Sequence, residues 1–150
     1  MRARRFAALI GIAAAALWAP VASAAVPVTT IRLEVQFGVL EEFFATGGVV
    51  CSHGFAVSDP VSIVGGGRQG RGVFTFHLVK TLTCDNGDTF KLLVDAAASP
   101  TSSGTVGGFA AGQGTGSLEG LRGGGSVDGT FYPDGSGITD IYTGRLRIAP

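Results

Sequence analysis

This chain is poor in the side chains that make and break bonds. Histidine and cysteine occur twice each, methionine and tryptophan once, and only 15% of the residues are charged. The histidines, His53 and His77, have no close-spaced cysteine pair beside them, which leaves a zinc site, or any other metal site, without support. Ser52 and His53 are neighbours in sequence, so in a strand they point to opposite faces and a catalytic triad gains no support. Glu41 and Glu42 are also neighbours. They cannot both flank one glycosidic bond from a regular strand, and they read as a solvated acidic patch.

Helical periodicity of useful length is missing throughout, and nothing calls for a cofactor. The stretch GGGRQGRG at 65–72 has the glycines of a phosphate loop but not the lysine, the following Ser or Thr, or the helix. It leads directly into the β-branched and aromatic run VFTFHLVKTLTC, and so reads as a strand connection. Asp85-Asn86-Gly87-Asp88 supplies too few spaced acids for a calcium loop, whereas Asn-Gly suits the positive φ angles of a hairpin turn.

What is present begins with a targeting segment. Arg2, Arg4 and Arg5 are followed by an apolar run to Trp18, then Pro20 and the small-residue pattern Ala22-Ser23-Ala24. That order describes a secretory signal peptide, a helix over residues 1–24, cut after Ala24. The apolar run is shorter than the roughly 20 residues of a membrane-spanning helix. No stable membrane span is therefore expected once the leader is removed. The Arg4-Arg5 pair leaves general secretory and twin-arginine export both open.

Residues 25–150 remain as one domain of 126 residues, with eight basic against eleven acidic side chains and a formal charge of −3. Nucleic acid is excluded as a partner on this balance, despite Gly70-Arg71-Gly72 and Arg122-Gly123-Gly124, because backbone binding needs clustered Lys and Arg. Cys51 and Cys84 are expected to pair in an oxidising, extracellular compartment. Closing that 33-residue loop is worth roughly 3 to 4 kcal/mol on the chain-entropy model.

The domain reads as strands. Ile31, Leu33, Val35 and Phe37 alternate with Arg32, Glu34 and Gln36, the period of a half-buried strand. Residues 39–44, VLEEFF, fit either a helical turn or a continuing strand. Strands are expected over 49–57 and 61–64, and a long one over 73–84 with Phe74, Phe76, Leu78, Leu82 and Cys84 on one face and Lys80 among them. The return strand covers 89–96, a loop 97–104, further strands lie near 105–111 and 126–131, and 138–148 closes the domain.

Between these lies GQGTGSLEGLRGGGSVDG at 112–129, with eight glycines in eighteen residues. Each glycine inside a helix costs about 1 kcal/mol relative to alanine, so this segment suits strands that bend sharply or approach another backbone closely. About eight short strands with such punctuation fit a sandwich or an antiparallel barrel, and the glycines favour the barrel.

The string GTGSLEGLRGGG at 114–125, followed by GITDIYTGRL at 137–146, resembles the C-terminal signature of small secreted bacterial proteins similar to the allene oxide cyclase barrel group, to which dirigent proteins belong. The resemblance covers about the last third of the chain; where the family often carries an aromatic, this chain has Leu118. It implies an eight-stranded antiparallel barrel with an apolar lumen, whose relatives cyclise small molecules or steer radical coupling. No catalytic residue of that family matches a position here.

If Asp140 and Tyr142, which share strand parity with Leu146 and Ile148, face the lumen, burial raises the carboxyl pKa and suits acid or base work. Their alternative is structural: Asp140 accepting backbone hydrogen bonds and Tyr142 filling the interior. His77 is a third ligand-binding candidate, read more readily as a packed or surface residue. The leading expectation is a secreted barrel that binds an apolar small molecule. A cyclase- or dirigent-like enzyme and an envelope or protein-interaction module with a filled core are the alternatives, and no oligomeric state follows from the pattern.

Overall fold

A computed structural model describes residues 25–36, 39, 41–59, 62–65, 72–99 and 101–150. The signal-peptide helix expected over 1–24, Phe37 and most of the glycine loop at 65–72 lie outside the described residues. The domain is all-β with nine strands: β1 Val28–Gln36, β2 Glu41–Thr46, β3 His53–Ser58, β4 Ser62–Gly65, β5 Phe74–Cys84, β6 Thr89–Ala98, β7 Gly104–Gly112, β8 Leu121–Phe131 and β9 Gly137–Ile148.

Eight of them close a ring in the order β3-β2-β1-β9-β8-β7-β6-β5, with β5 pairing back onto β3 and every pairing antiparallel. The remaining strand, β4, pairs with the first part of β5, with Ser62 opposite His77 and Gly65 opposite Phe74. It therefore prolongs the wall that β3 begins on the same edge of β5.

The period-two pattern decides what faces inward. Ile31, Leu33 and Val35 of β1 are buried while Glu34 and Gln36 between and beyond them are not. Opposite them in register stand Tyr142, Asp140 and Ile138 of β9. The face of β5 expected from the sequence is the inner one, and the Asp85–Asp88 turn closes the β5–β6 hairpin with Gly87 at φ 90°, where a side chain would be strained.

Several boundaries differ from expectation. The third strand starts at His53 rather than residue 49, because Val50, although buried, lies in the turn that covers one end of the barrel. The ambiguous 39–44 stretch resolves as strand from Glu41 onward.

The glycine-rich segment divides in two. Residues 113–120 fold across one end of the barrel around a single 3-10 turn, Gly116–Leu118, whose Leu118 is buried in the core. Asp88 fixes this cap, accepting hydrogen bonds from the Ser117 amide at 3.1 Å and the Ser117 hydroxyl at 2.5 Å. From Leu121 the chain is already β8, five residues earlier than the sequence pattern places it.

The triplet Gly123-Gly124-Gly125 is strand interior because neighbouring chains come too close for side chains. A Cβ on Gly125 would lie 2.0 Å from the Thr143 carbonyl oxygen. Beneath the cap, Phe43 and Phe90 meet edge-on at 6.0 Å among Leu82, Leu92 and Leu146, all five nearly inaccessible to solvent. The Cys51–Cys84 disulfide, Cα–Cα 5.9 Å, stitches the same end.

Candidate functional site

The packed core fills only the capped half of the barrel. Toward the other end, where β1, β3, β6 and β8 finish and β2, β5, β7 and β9 begin, the lumen holds a cavity of about 330 Å³ that opens to solvent. Val35, Phe76, Leu78, Val94, Val127 and Ile138 supply apolar walls, and Ile63 of β4 extends them at the mouth. That volume sits at the lower end of the ~300–1,000 Å³ typical of small-molecule sites.

Two polar groups stand in this apolar space. The first spans β5, β3 and β2. Lys80 Nζ donates to Glu41 Oε2 at 3.0 Å and to Ser58 Oγ at 2.8 Å, while the Ser58 hydroxyl donates to Glu41 at 2.9 Å. Strand register creates this cluster: Ser58 lies opposite Lys80, and Glu41 lies opposite Ala56, two residues along β3. The Lys80 and Glu41 side chains are 5% and 14% exposed, so this is an ion pair withdrawn from water. Such a pair recovers its desolvation cost only with good geometry and further hydrogen bonds, and Ser58 provides those bonds here.

The second group is on β9. Tyr142 Oη donates to Asp140 Oδ2 at 3.2 Å, both residues buried. Loss of water around the Asp140 carboxyl raises its pKa, and the Lys80 charge and the tyrosine hydroxyl only partly offset that. Burial likewise pushes the Tyr142 phenol well above its ordinary range, with the neighbouring carboxyl adding to the effect. β5 and β9 are four strands apart around an eight-strand ring, so the two groups face each other across the lumen.

Phe109 holds Tyr142 in place by an edge-on ring contact at 5.4 Å. Gly129 lies against Asp140, and a Cβ there would come within 2.5 Å of Oδ1.

Of the sequence candidates, the structure brings Asp140 and Tyr142 together inside the lumen and leaves His77 outside. His77 is exposed on the outer face of β5, with Nδ1 against the Asp95 carboxylate of the neighbouring strand. The reading of Glu41 and Glu42 as one solvated patch is corrected, because strand parity separates them. Glu41 enters the lumen. Glu42 turns outward, where His53 Nε2 lies 2.8 Å from it and His53 Nδ1 lies 2.9 Å from Asp85. Hydrogen bonding to Glu42 and then to Asp85 raises the His53 pKa.

Sequence reasoning missed Glu41, Ser58 and Lys80 as site residues. The available signal was Lys80, the single charge on the otherwise apolar face of residues 74–84. A cation in that register must either leave the barrel or find an acid inside it. Comparison with protein-family models, curated proteins and solved structures finds no match to this chain.

Proposed function

We propose that this chain is a secreted barrel, of the allene oxide cyclase and dirigent kind, that binds an apolar small molecule in its lumen. The observation that carries this reading is the open 330 Å³ cavity beside a fully packed capped end. A barrel serving only as a scaffold gains nothing from leaving a cavity in its interior while withdrawing the ionisable side chains of Lys80, Glu41, Asp140 and Tyr142 from water there, since unfilled volume and desolvated charge both lower stability. The leader pattern at 1–24 and the Cys51–Cys84 bridge support export, because disulfides persist in oxidising compartments.

The test is to export the full chain, recover the folded barrel with its disulfide intact, and identify co-purifying organic molecules by mass spectrometry. Ala96 lines the cavity, so Ala96→Phe projects a ring into it. Wild type is expected to carry an apolar molecule and Ala96→Phe to arrive empty; equal loading of the two abandons the reading. A second reading, an enzyme that orders a reactive substrate, draws support from Asp140, a buried carboxyl with a raised pKa beside a phenol. It requires that a molecule incubated with the barrel be released chemically altered.

A further inference from the structure

The lumen offers hydrogen-bonding capacity that the protein does not itself consume. Lys80 has three N–H donors, of which Glu41 and Ser58 take two. Asp140 accepts through Oδ2 from Tyr142, and among the described residues Oδ1 has no side-chain partner. Lys80 and Asp140 form no ion pair, although each lines the same cavity from opposite walls. One unused donor and one unused acceptor thus face each other across an apolar space.

The charge balance restricts what fits between them. Lys80 is already neutralised by Glu41, so a bound carboxylate would add a further anion beside Glu41 and Asp140 and would offer Asp140 no proton. A bound ammonium can donate to Asp140 but has no acceptor to present to Lys80, whose third N–H it leaves unmatched. A hydroxyl group can do both things: its oxygen accepts from Lys80 and its hydrogen is donated to Asp140.

The cavity volume bounds the remainder of the molecule. At ~30 Å³ for each water-sized unit, 330 Å³ accommodates roughly ten non-hydrogen atoms. Resting on the lumen-binding reading above, we infer that the ligand is a neutral apolar alcohol of roughly that size, its hydroxyl anchored between Lys80 and Asp140 and its hydrocarbon against Phe76, Leu78, Val94 and Val127. Ser58 positions the Lys80 ammonium rather than touching the ligand.

The experiment is competition at neutral pH between decanol, decanoate and decylamine for the lumen, read by displacement of an apolar fluorescent dye from the oxidised barrel. Decanol is expected to bind at least about tenfold more tightly than either charged analogue, since each analogue leaves a buried polar group unmatched. In Asp140→Asn the amide oxygen still accepts from Tyr142, but an NH2 replaces Oδ1 and cannot accept the ligand's hydrogen, so decanol is expected to lose affinity about tenfold, while decanoate, relieved of the opposing charge and offered a donor, gains. Decanoate or decylamine binding wild type as tightly as decanol overturns the inference and leaves lumen binding standing. A dye that binds wild type and Ala96→Phe alike, or binds neither, removes lumen binding and the alcohol with it.

Discussion

At the scale of single residues, the two acidic side chains joined to tyrosines answer to pH in opposite directions. Glu34, on the outer face of β1, accepts hydrogen bonds from the Tyr132 hydroxyl at 2.6 Å and the Thr139 hydroxyl at 2.7 Å and pairs with Arg32. The tyrosine bond, more than any other partner, holds its pKa below the ordinary 4.5. A folded-state pKa below the unfolded one means that the unfolded chain binds protons more readily; stability from Glu34 is complete above pH 4.5 and is lost as pH falls through the folded value.

Asp140 is the reverse case. Its pKa is raised chiefly by burial, so the folded chain holds the proton longer and stability drains away as pH rises from the ordinary 3.8 through the folded value. Asp140→Asn is therefore expected to stabilise the barrel at neutral pH, with the gain shrinking to nothing in acid where wild type is protonated in both states. Urea unfolding of wild type and Asp140→Asn across the acid range checks this; a gain that grows as pH falls contradicts the burial argument. Much of this residue was legible beforehand, because the parity of residues 138–148 put Asp140 with Leu146 on one face. Glu41 was not legible, since Phe43 and Phe44 give that strand aromatics on both faces and erase the alternation that would have shown which glutamate turned inward.

At the scale of elements, the seam that closes the ring and the glycine-lined wall opposite it are stabilised by different means. β3 meets β5 over only five register pairs, Gly54 with Cys84 through Ser58 with Lys80, and the Cys51–Cys84 bridge sits at the end of that seam. Replacing both cysteines by alanine is expected to cost about 3 to 4 kcal/mol by freeing a 33-residue loop in the unfolded chain, measured as a lower urea midpoint. The wall made by β7, β8 and β9 depends on closeness instead. Phe109 lies opposite Gly125, Gly125 lies opposite Gly144, and a Cβ on Gly144 would meet the Phe109 ring at 3.0 Å. The aromatic covers backbone that has no side chains of its own, and in turn braces Tyr142. Gly125→Ala must push strands apart and is expected to destabilise by about 1 to 3 kcal/mol, the usual cost of forced overpacking; a thermal midpoint equal to wild type would show that the wall yields. The glycine run announced a close backbone approach in the sequence, but its position inside β8 depends on register with β7 and β9, which a single strand's pattern does not carry. On the outer face of the same wall, Arg122 and Arg147 are directly opposed. Like charges in that relation repel by roughly 0.2 to 1 kcal/mol, so Arg147→Glu is expected to raise the melting temperature slightly at low salt and less at high salt.

At the scale of the whole molecule, the barrel is divided along its axis into a half that holds the fold and a half that holds the site. Phe43, Phe90, Leu82, Leu92, Leu146 and the Leu118 cap exclude water from one end, together with the disulfide. At the other, β4 is solvent-exposed along all four residues, with Ile63 and Val64 each 58% exposed, and the first turns of β5 are only half-buried. Local opening free energy follows buried contact, so amides of β4 and of β5 near Phe74–His77 are expected to exchange with solvent faster than those of β5 near Leu82 and of β6 near Phe90. This contrast is built into the strand lengths. β5, β8 and β9 run eleven to twelve residues, longer than the packed end requires, and their surplus forms the walls of the cavity. A molecule that enters the mouth replaces the missing core there and binds only the folded chain. At a concentration a hundred times its dissociation constant it raises global stability by about 2.7 kcal/mol. Exchange is expected to slow at β4 and the mouth half of β5, where local opening releases the molecule, and at capped-end amides that exchange only through global unfolding, while local fraying at the capped end, which leaves the molecule bound, is unchanged; hydrogen exchange with and without decanol reads these separately. No slowing at β4 and the mouth half of β5 would mean that the molecule sits elsewhere than the lumen.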